Sequence, residues 1–438
     1  MANDKVIFQG KEIKMKPRIA LTDANPDERT EAIYSKLDKL GISSNPSLFR
    51  VSKLYLSSTQ KNRIGNVLDD VAEYKLKVNV GPEKYDYIIL TNYVKEKSPW
   101  KTEISQNLII LPGQALTEVF YSEMAIYYAQ QGYSTYILDR RDTNIPVNET
   151  DFSYMENWKI DEHLSDTYDG ISVSRIHTAI ISSEPVENIE VTAIGHSHGA
   201  LILTAYAASE YEDLSSGSVD RIVPVDIVVK YDPELSELIQ SQAQEFDIIT
   251  KSMENGTYNA TNMAIMMQIA NLALTDPEGR SFVNNNFTNR QIFRLMASQT
   301  YTFYARPYTP NYHYWSGDLN RLCYVDEDRL LNLTLAGGAV PHTPKHLDRY
   351  MAGLMGNMDG YEIDCSKIDS PVLYIGFGGG FGDYGSWWYK NEVGRINGRV
   401  TSMNWNNQGH CSIALDYNSP ELWALINSWI KIIRYNKL

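Results

Sequence analysis

The feature that most constrains this chain is an alternation of short apolar segments with helical segments, beginning at Asn107. The apolar segments are rich in β-branched residues, which favours strands. Strands separated by helices form a mostly parallel sheet that is covered on both faces, so the pattern predicts an α/β fold. The predicted strands are 107–111, 134–139, 189–195 and 222–229, and the predicted helices lie near 117–131, 164–181 and 199–211.

The alternation stops after Asp232 and resumes near residue 346. The intervening stretch has helical segments and an aromatic-rich loop, and it resembles an insertion between two late strands. Such an insertion is most simply a cap or lid over the C-terminal strand ends, where sheets of this kind bind ligands. After it, the sequence predicts a helix at the resumption, strands at 371–377 and 399–405, and a closing helix at 421–433.

Upstream of the alternation, residues 74–80 and 85–94 predict an antiparallel strand pair joined at Gly81-Pro82. These boundaries together predict a sheet domain, an inserted cap and a preceding extension. The predicted division is an N-terminal extension at 1–70, an α/β core at 71–232 and 346–438, and a cap or lid insertion at 233–345.

Composition limits the partners. The 438 residues carry a formal net charge of −14, which argues against nucleic acid as a partner. The three cysteines form no CxxC pair that would indicate structural zinc. The first residues lack the apolar region of a signal peptide, and no run of about 18 apolar residues occurs. We therefore expect a soluble chain without a transmembrane segment, either cytoplasmic or exported with its signal peptide absent, and of unknown oligomeric state.

The stretch Gly195-His196-Ser197-His198-Gly199 matches G-x-S-x-G at a predicted junction of strand and helix. A sharp reversal there strains the central residue and leaves no room for side chains two positions away on either side, which explains the glycines. The turn would lift the Ser197 hydroxyl above the sheet edge, at a helix N-terminus that favours negative charge. Ser197 is therefore the predicted nucleophile, and the flanking histidine side chains are expected to pack and to form hydrogen bonds.

A serine nucleophile needs a base, and the base needs a carboxylate to orient it. His410 follows the last predicted strand and precedes the closing helix, so its loop could reach Ser197. Asp383, just past the strand 371–377, is the predicted acid, and Asp232 is the main alternative. Asp364, Asp369 and other positions also remain open.

The oxyanion of the reaction needs two backbone donors. One is expected from the residue after the nucleophile, His198, and the other from the loop Leu-Pro-Gly-Gln-Ala after the strand 107–111, where Gln114 or Ala115 could present its amide. We take Gln114 and His198 as the predicted oxyanion hole.

Two further patterns are weak. GFGDYG (380–385) matches G-x-G-x-x-G after a strand, but no βαβ unit with a suitably placed acidic residue follows, so the glycines more plausibly let a loop bend around Asp383. His342 and His346 have the spacing of paired metal ligands, yet Pro344 between them interrupts the helix that would align them. The sequence therefore predicts no cofactor and no metal.

These residues resemble the α/β-hydrolase superfamily, specifically its serine esterase and lipase branch, over roughly 72–232 and 346–438. The oxyanion loop, GHSHG, a post-strand aspartate and Gly409-His410 occur in the order typical of the superfamily. Many members carry His-Gly in the oxyanion loop, where this chain has Pro112-Gly113. The resemblance implies a nucleophile elbow, a catalytic triad and an oxyanion hole.

The predicted function is a serine hydrolase that cleaves a small-molecule carboxylic ester through an acyl-enzyme. An acyltransferase, thioesterase or peptidase with the same triad is an alternative, as is a non-catalytic binding protein on this fold. Aromatic side chains could line an apolar or aromatic substrate pocket, although such residues often belong to the core. The predicted pocket residues are Tyr301, Tyr304, Tyr308, Tyr312, Trp315, Trp387 and Trp388.

Overall fold

The structure is a computed structural model of the chain. It describes residues 5–8, 11–14, 18–20, 71–95, 106–209, 211, 217–260, 262–299, 322, 327–405, 408–416 and 418–435. Of the predicted pocket residues, Tyr301, Tyr304, Tyr308, Tyr312 and Trp315 lie outside this set. No helix within these ranges has both the length and the apolar character needed to cross a membrane.

The described strands build one large sheet and two small two-stranded sheets. The order in the large sheet is β13-β12-β9-β8-β6-β7-β5-β4-β3, parallel from β13 to β7 and antiparallel from β7 to β3. The strands are β1 (Lys5–Phe8), β2 (Lys11–Lys14), β3 (Arg18–Ala20), β4 (Val71–Asn79), β5 (Tyr87–Lys95), β6 (Gln106–Leu111), β7 (Ser134–Asp139), β8 (Glu190–His196), β9 (Arg221–Val225), β10 (Asn259–Ala260), β11 (Thr343–Pro344), β12 (Val372–Phe377) and β13 (Val400–Trp405).

The helices follow the strands in the order that the sequence pattern predicts. They are α1 (Glu118–Gln130), α2 (Ile160–Ser182), α3 (His198–Ala207), α4 (Ser236–Glu254), α5 (Asn262–Thr275), α6 (Asn289–Gln299), α7 (Glu327–Leu333), α8 (Lys345–Met355), α9 (Gly382–Trp388), α10 (Gly394–Asn397) and α11 (Ser419–Tyr435). Short 3₁₀ segments lie at Arg141–Asn144, Ser153–Asn157, Val186–Asn188, Cys365–Lys367 and His410–Ile413, and π segments at Thr334–Gly338 and Tyr389–Val393.

Strand β6 shows how the sheet is buried on both faces. Its side chains alternate between faces, and Ile109 and Leu111 join the hydrophobic cluster that contains α2 and α3. Leu108 and Ile110 join the opposite cluster, which contains α1 and α11. A strand covered on both faces needs a continuous apolar run, so the prediction of a mostly parallel sheet with helices on both faces is confirmed.

The predicted extension, core and insertion each contain described strands or helices. The predicted antiparallel pair is present as β4 and β5, and the stretch between β9 and β12 contains α4 to α8. Residues 18–20 differ from the expectation, because they pair antiparallel with β4 at the sheet edge. The predicted extension therefore supplies an edge strand, since the exposed edge of β4 has free backbone groups to pair. A covering role for the insertion stays a prediction.

Glu73 on β4 makes the stability of the fold depend on pH. The residue is 8% exposed, and burial raises the pKa of its carboxyl from 4.5 to about 7, with Lys75 opposing the shift. The unfolded chain therefore loses this proton at lower pH than the folded chain, so stability declines as pH rises from about 4.5 to about 7. We expect Glu73→Gln to make this decline smaller by about 3 kcal/mol, measured by urea unfolding at both ends of the range. Glu83→Gln, at an exposed site, should leave it unchanged; equal slopes for wild type and Glu73→Gln would contradict the assignment.

Candidate active site

Ser197 occupies a sharp turn between β8 and α3. Its backbone angles are φ 54° and ψ −125°, in a region that residues with side chains rarely adopt. The amide of Ser197 donates to the carbonyl of Val225 at 3.0 Å, and its own carbonyl accepts from Leu201 at 3.0 Å. These bonds hold the strained serine between the sheet edge and the first turn of the helix. The side chain of Ser197 is thereby fixed at the C-terminal edge of the sheet.

The two glycines of GHSHG are required by close backbone approach. A Cβ on Gly195 would lie 2.5 Å from the carbonyl oxygen of Gly199. A Cβ on Gly199 would lie 2.1 Å from the carbonyl oxygen of Leu111, at the end of the neighbouring strand β6. Both distances are far inside van der Waals contact, so the turn can form only with glycine at these two positions.

His410 begins a short 3₁₀ segment after β13, and its imidazole contacts a buried carboxylate. Its Nδ1 lies 2.6 Å from Oδ2 of Asp226, and both side chains are almost completely buried. The other oxygen, Oδ1, accepts three backbone amides, from Phe377 at 2.8 Å, Phe381 at 3.0 Å and Gly382 at 3.2 Å. The carboxylate therefore has a fixed orientation, with one oxygen held by the backbone and the other directed at the imidazole.

The carboxylate in contact with His410 belongs to Asp226, which the sequence analysis does not name as a candidate acid. The exposed carboxylate of Asp383 accepts a hydrogen bond from Asn404, and Asp232 accepts one from the backbone amide of Glu234 at 3.0 Å. The segment 222–229 was predicted as one continuous strand, but β9 ends at Val225 and Asp226 turns out of it with φ 50°. A buried apolar loop and a buried strand have similar sequences, so the sequence pattern does not show that the strand ends before Asp226.

The glycine-rich stretch GFGDYG is also explained by Asp226. A Cβ on Gly380 would lie 1.8 Å from Oδ2 of Asp226, and the following two amides are among its donors. The loop therefore bends around Asp226. The sequence predicts a bend around Asp383 instead. A lone aspartate within the apolar run VPVDIVV was the available signal, because a buried charge requires a partner.

His196 connects the oxyanion loop to the backbone of His410. Its Nε2 lies 2.8 Å from the carbonyl oxygen of His410, which can only accept, so Nε2 carries the proton. Its Nδ1 then accepts from the hydroxyl of Tyr121 at 2.6 Å, and that hydroxyl accepts from the amide of Gly113 at 3.0 Å. Burial lowers the pKa of His196 well below its usual value, so the ring stays neutral. The side chain packs and forms hydrogen bonds, as its position beside the serine predicts.

Ser197 and His410 are therefore positioned by shared neighbours. The ring of His196, the residue before Ser197, lies 4.7 Å from the ring of His410, centroid to centroid. On the other side, Val225 accepts from the amide of Ser197 and directly precedes Asp226, which contacts His410. Ser197, His410 and Asp226 are thus linked at the sheet edge through the backbone of Val225 and the imidazole of His196.

The loop after β6 approaches Ser197 closely and is held in place by a buried arginine. A Cβ on Gly113 would lie 3.3 Å from Cβ of Ser197. The guanidinium of Arg140 donates to the carbonyls of Pro112 at 2.7 Å and Gly113 at 3.2 Å. Ala115 has φ 58°, a strained value that turns the chain sharply after Gln114. Because its carbonyls are engaged by Arg140, the loop has a fixed conformation beside the serine.

Asp348 on α8 joins the two residues predicted to form the oxyanion hole. Gln114 Nε2 donates to Oδ1 of Asp348 at 2.8 Å, and His198 Nε2 lies 3.5 Å from the same oxygen. Burial lowers the pKa of His198 to about 3 and raises that of Asp348 to about 7. The sequence did not indicate Asp348, because it lies in an ordinary amphipathic helix and its role depends on tertiary contacts alone.

The end of the insertion forms backbone hydrogen bonds with the loop that follows β6. The amide of Val340 donates to the carbonyl of Ala115 at 2.9 Å, and that of Thr117 donates to the carbonyl of Gly338 at 3.1 Å. The Gln114 side chain adds a contact to Thr343 Oγ1 at 3.3 Å. The insertion therefore returns to the sheet directly beside the candidate site.

Two predicted pocket residues belong to the core. Trp388 is 3% exposed and its ring lies 5.0 Å from that of Tyr389, within the hydrophobic cluster that includes α2 and α3. Trp387 packs against the same cluster. Both indoles cover apolar core surface instead of lining the predicted pocket. Among the described residues, no three His, Cys, Asp or Glu side chains come together as a metal site.

Comparison with known proteins identifies the fold. No protein-family model and no curated protein matches the chain. It is similar to a candidate lipase from Sulfolobus solfataricus, with a TM-score of 0.56, 16% identity and coverage of 83% of this chain and 95% of that one. It also matches a thermostable carboxyl esterase from Bacillus coagulans, with a TM-score of 0.48, 12% identity, and 83% and 98% coverage. The chain therefore has the fold of the α/β-hydrolase superfamily.

Proposed function

We propose that this protein is a serine hydrolase that cleaves a small-molecule carboxylic ester, with Ser197 as nucleophile, His410 as base and Asp226 as acid. One observation carries the proposal: the contact of 2.6 Å between His410 and Asp226, beside the strained elbow that presents Ser197. Nucleophile, base and orienting carboxylate are the three groups that acyl transfer by serine requires. The similarity of the fold to a candidate lipase agrees with this chemistry.

The proposed reaction begins when Ser197 Oγ attacks the ester carbonyl carbon and His410 Nε2 takes the hydroxyl proton. Asp226 accepts the hydrogen bond from Nδ1 of His410, which selects the tautomer in which Nε2 can act as base. The carbonyl π electrons move to oxygen, and the backbone amides of Gln114 and His198 stabilise that oxyanion. His198 is the first residue of α3, whose first amides have no partner within the helix.

The tetrahedral intermediate then collapses. The bond to the leaving alcohol breaks, and His410 returns its proton to the departing oxygen, which leaves an ester on Ser197. Water attacks this acyl-enzyme and gives a proton to His410. The bond between the acyl carbon and Ser197 Oγ then breaks, His410 returns the proton to Oγ, and the carboxylic acid is released. The proton and the electron pairs balance in both halves, and no cofactor takes part.

Covalent labelling tests the proposal directly. A fluorophosphonate probe should modify the tryptic peptide that contains Ser197, and the wild type should hydrolyse a p-nitrophenyl ester, because an activated serine attacks both. Ser197→Ala should lose labelling and hydrolysis, whereas Ser428→Ala, at an exposed helical position, should keep both. Mass spectrometry and release of p-nitrophenolate provide the readouts. Unchanged hydrolysis by Ser197→Ala would refute the assignment.

A further inference from the structure

Asp348 has a position that the proposed triad chemistry does not explain. We propose that Asp348 is a specificity-determining residue of the hydrolytic site proposed above, and that its carboxylate binds an ammonium group of the ester substrate. This inference rests on the proposed function and specifies the class of substrate.

The contacts of Asp348 place its charge next to the side chains of the two residues that are proposed to supply the oxyanion hole. One oxygen contacts the side chain of Gln114 at 2.8 Å and lies 3.5 Å from that of His198. His198 follows the nucleophile directly, and Gln114 follows Gly113, the backbone of which approaches the Cβ of Ser197. The carboxylate is therefore one side chain away from both arms of the proposed oxyanion hole.

Part of the Asp348 side chain is exposed to solvent, although the neighbouring side chain of His198 is buried. The side chain of Asp348 is 23% exposed, whereas that of His198 below it is 3% exposed. Solvent thus reaches part of the Asp348 side chain, and a group that approaches from that side meets Asp348.

No cationic side chain among the described residues satisfies this carboxylate. The one ion-pair partner within 4.0 Å is His198, whose depressed pKa of about 3 keeps it neutral near neutral pH. Lys345 on the same helix acts only at longer range and is opposed by Glu245 on α4. The remaining neighbour, Gln114, is uncharged. A partly desolvated carboxylate without a counter-ion is costly for the fold, and such groups concentrate at functional sites.

The negative charge of Asp348 also affects the stability of the oxyanion that forms in the proposed reaction. A carboxylate beside the oxyanion hole repels the negative charge that develops there, so an uncharged ester reacts against this repulsion. An ammonium bound to Asp348 removes the repulsion and gains an ion pair in a partly desolvated place. The site therefore favours cationic esters over uncharged esters of the same shape.

Matched pairs of substrates test the inference. Acetylcholine and the p-nitrophenyl ester of 4-(trimethylammonio)butanoate place the cation on the alcohol and acyl sides, and each is compared with a carbon isostere in which tert-butyl replaces trimethylammonium. For at least one pair, the wild type should prefer the cationic member in kcat/KM. Asp348→Asn should reduce that preference about tenfold or more, since the variant keeps an acceptor for Gln114 and removes the charge.

Two measurements separate charge recognition from a structural role. The preference of the wild type should increase as pH rises from about 6 to about 8, because the pKa of Asp348 near 7 makes it ionise in this range, and it should be flat in Asp348→Asn. Glu245→Gln removes a charge of the same sign from the adjacent helix α4 and should leave the preference nearly unchanged at pH 8, where Asp348 is already ionised. An equal loss in Glu245→Gln, or an equal loss on both members of each pair in Asp348→Asn, would overturn the inference.

The outcomes also distinguish this inference from the proposed function. Labelling of Ser197 by a fluorophosphonate without a preference for either cationic ester would overturn the role of Asp348 and leave the hydrolase proposal intact. Absence of labelling together with absence of ester hydrolysis would overturn both.

Discussion

Asp226→Asn should lower kcat for ester hydrolysis by about 10⁴-fold, because an amide at this position no longer fixes the tautomer of His410. The carboxylate oxygen that lies 2.6 Å from Nδ1 of His410 accepts the ring proton. An amide NH₂ directed at the same nitrogen would instead require Nδ1 to accept, which places the proton on Nε2, where the base must be free. Steady-state hydrolysis of a p-nitrophenyl ester measures the loss, and KM should change much less than kcat.

Asp383→Asn is the matched control for this experiment. Asp383 is exposed and forms its hydrogen bond with Asn404, so the variant should retain the kcat of the wild type. Circular dichroism and thermal unfolding of Asp226→Asn are needed beside the kinetics, because Asp226 also accepts three backbone amides. A folded Asp226→Asn protein with wild-type kcat, or a large loss in Asp383→Asn, would return the role of acid to the sequence-based candidate.

The register of two strands explains why Asp226 lies beside the turn that holds Ser197. In the parallel pair β8 and β9, His196 is opposite Val225. The next residue of each chain, Ser197 and Asp226, therefore leaves the sheet at the same level and on neighbouring strands. The proposed acid therefore follows the strand adjacent to the one that ends at Ser197, whereas Asp383 follows β12, one strand further away.

The sequence predicts those parts of the molecule that depend on local rules. The apolar run of β6 reflects burial on both faces, and Gly195 reflects a backbone contact with Gly199 within the motif itself. The sequence indicates His410 because it follows the last strand, at the sheet edge that Ser197 also occupies. Residue type and chain order are enough to predict these features, through hydrophobic periodicity and motif spacing.

Other parts of the structure depend on contacts between distant segments, and local sequence does not predict those contacts. The sequence does not identify Asp226 as a site residue, because the apolar sequence after β9 belongs to a buried loop and burial alone does not distinguish a loop from a strand. The approach of Asp348 to Gln114 joins residues separated by 234 positions. Neither residue type nor spacing encodes that pairing, which follows from the way in which the insertion returns to the oxyanion loop.

Gly199→Ala should disrupt the active site and the fold together. The new methyl group would lie 2.1 Å from the carbonyl oxygen of Leu111 and 2.6 Å from that of Pro112, both of them backbone atoms that cannot rotate away. Either the start of α3 or the end of β6 must move, at a cost of about 3 kcal/mol in the free energy of unfolding. Because these two segments carry Ser197 and the oxyanion loop, a shift of about 1 Å should also lower kcat about 100-fold.

Gly360→Ala separates this steric effect from the general cost of replacing a glycine. Gly360 has φ 79°, and no atom lies within 4 Å of the place that a methyl group would take, so alanine there meets strain but no collision. We expect a loss of about 1 kcal/mol in urea unfolding and unchanged kcat. If Gly199→Ala were no more destabilising than Gly360→Ala and kept its activity, Ser197 and the oxyanion loop would not need the close backbone contact between α3 and β6. Since that contact sets the distance between nucleophile and oxyanion donors, the comparison tests the geometry on which the proposed chemistry depends.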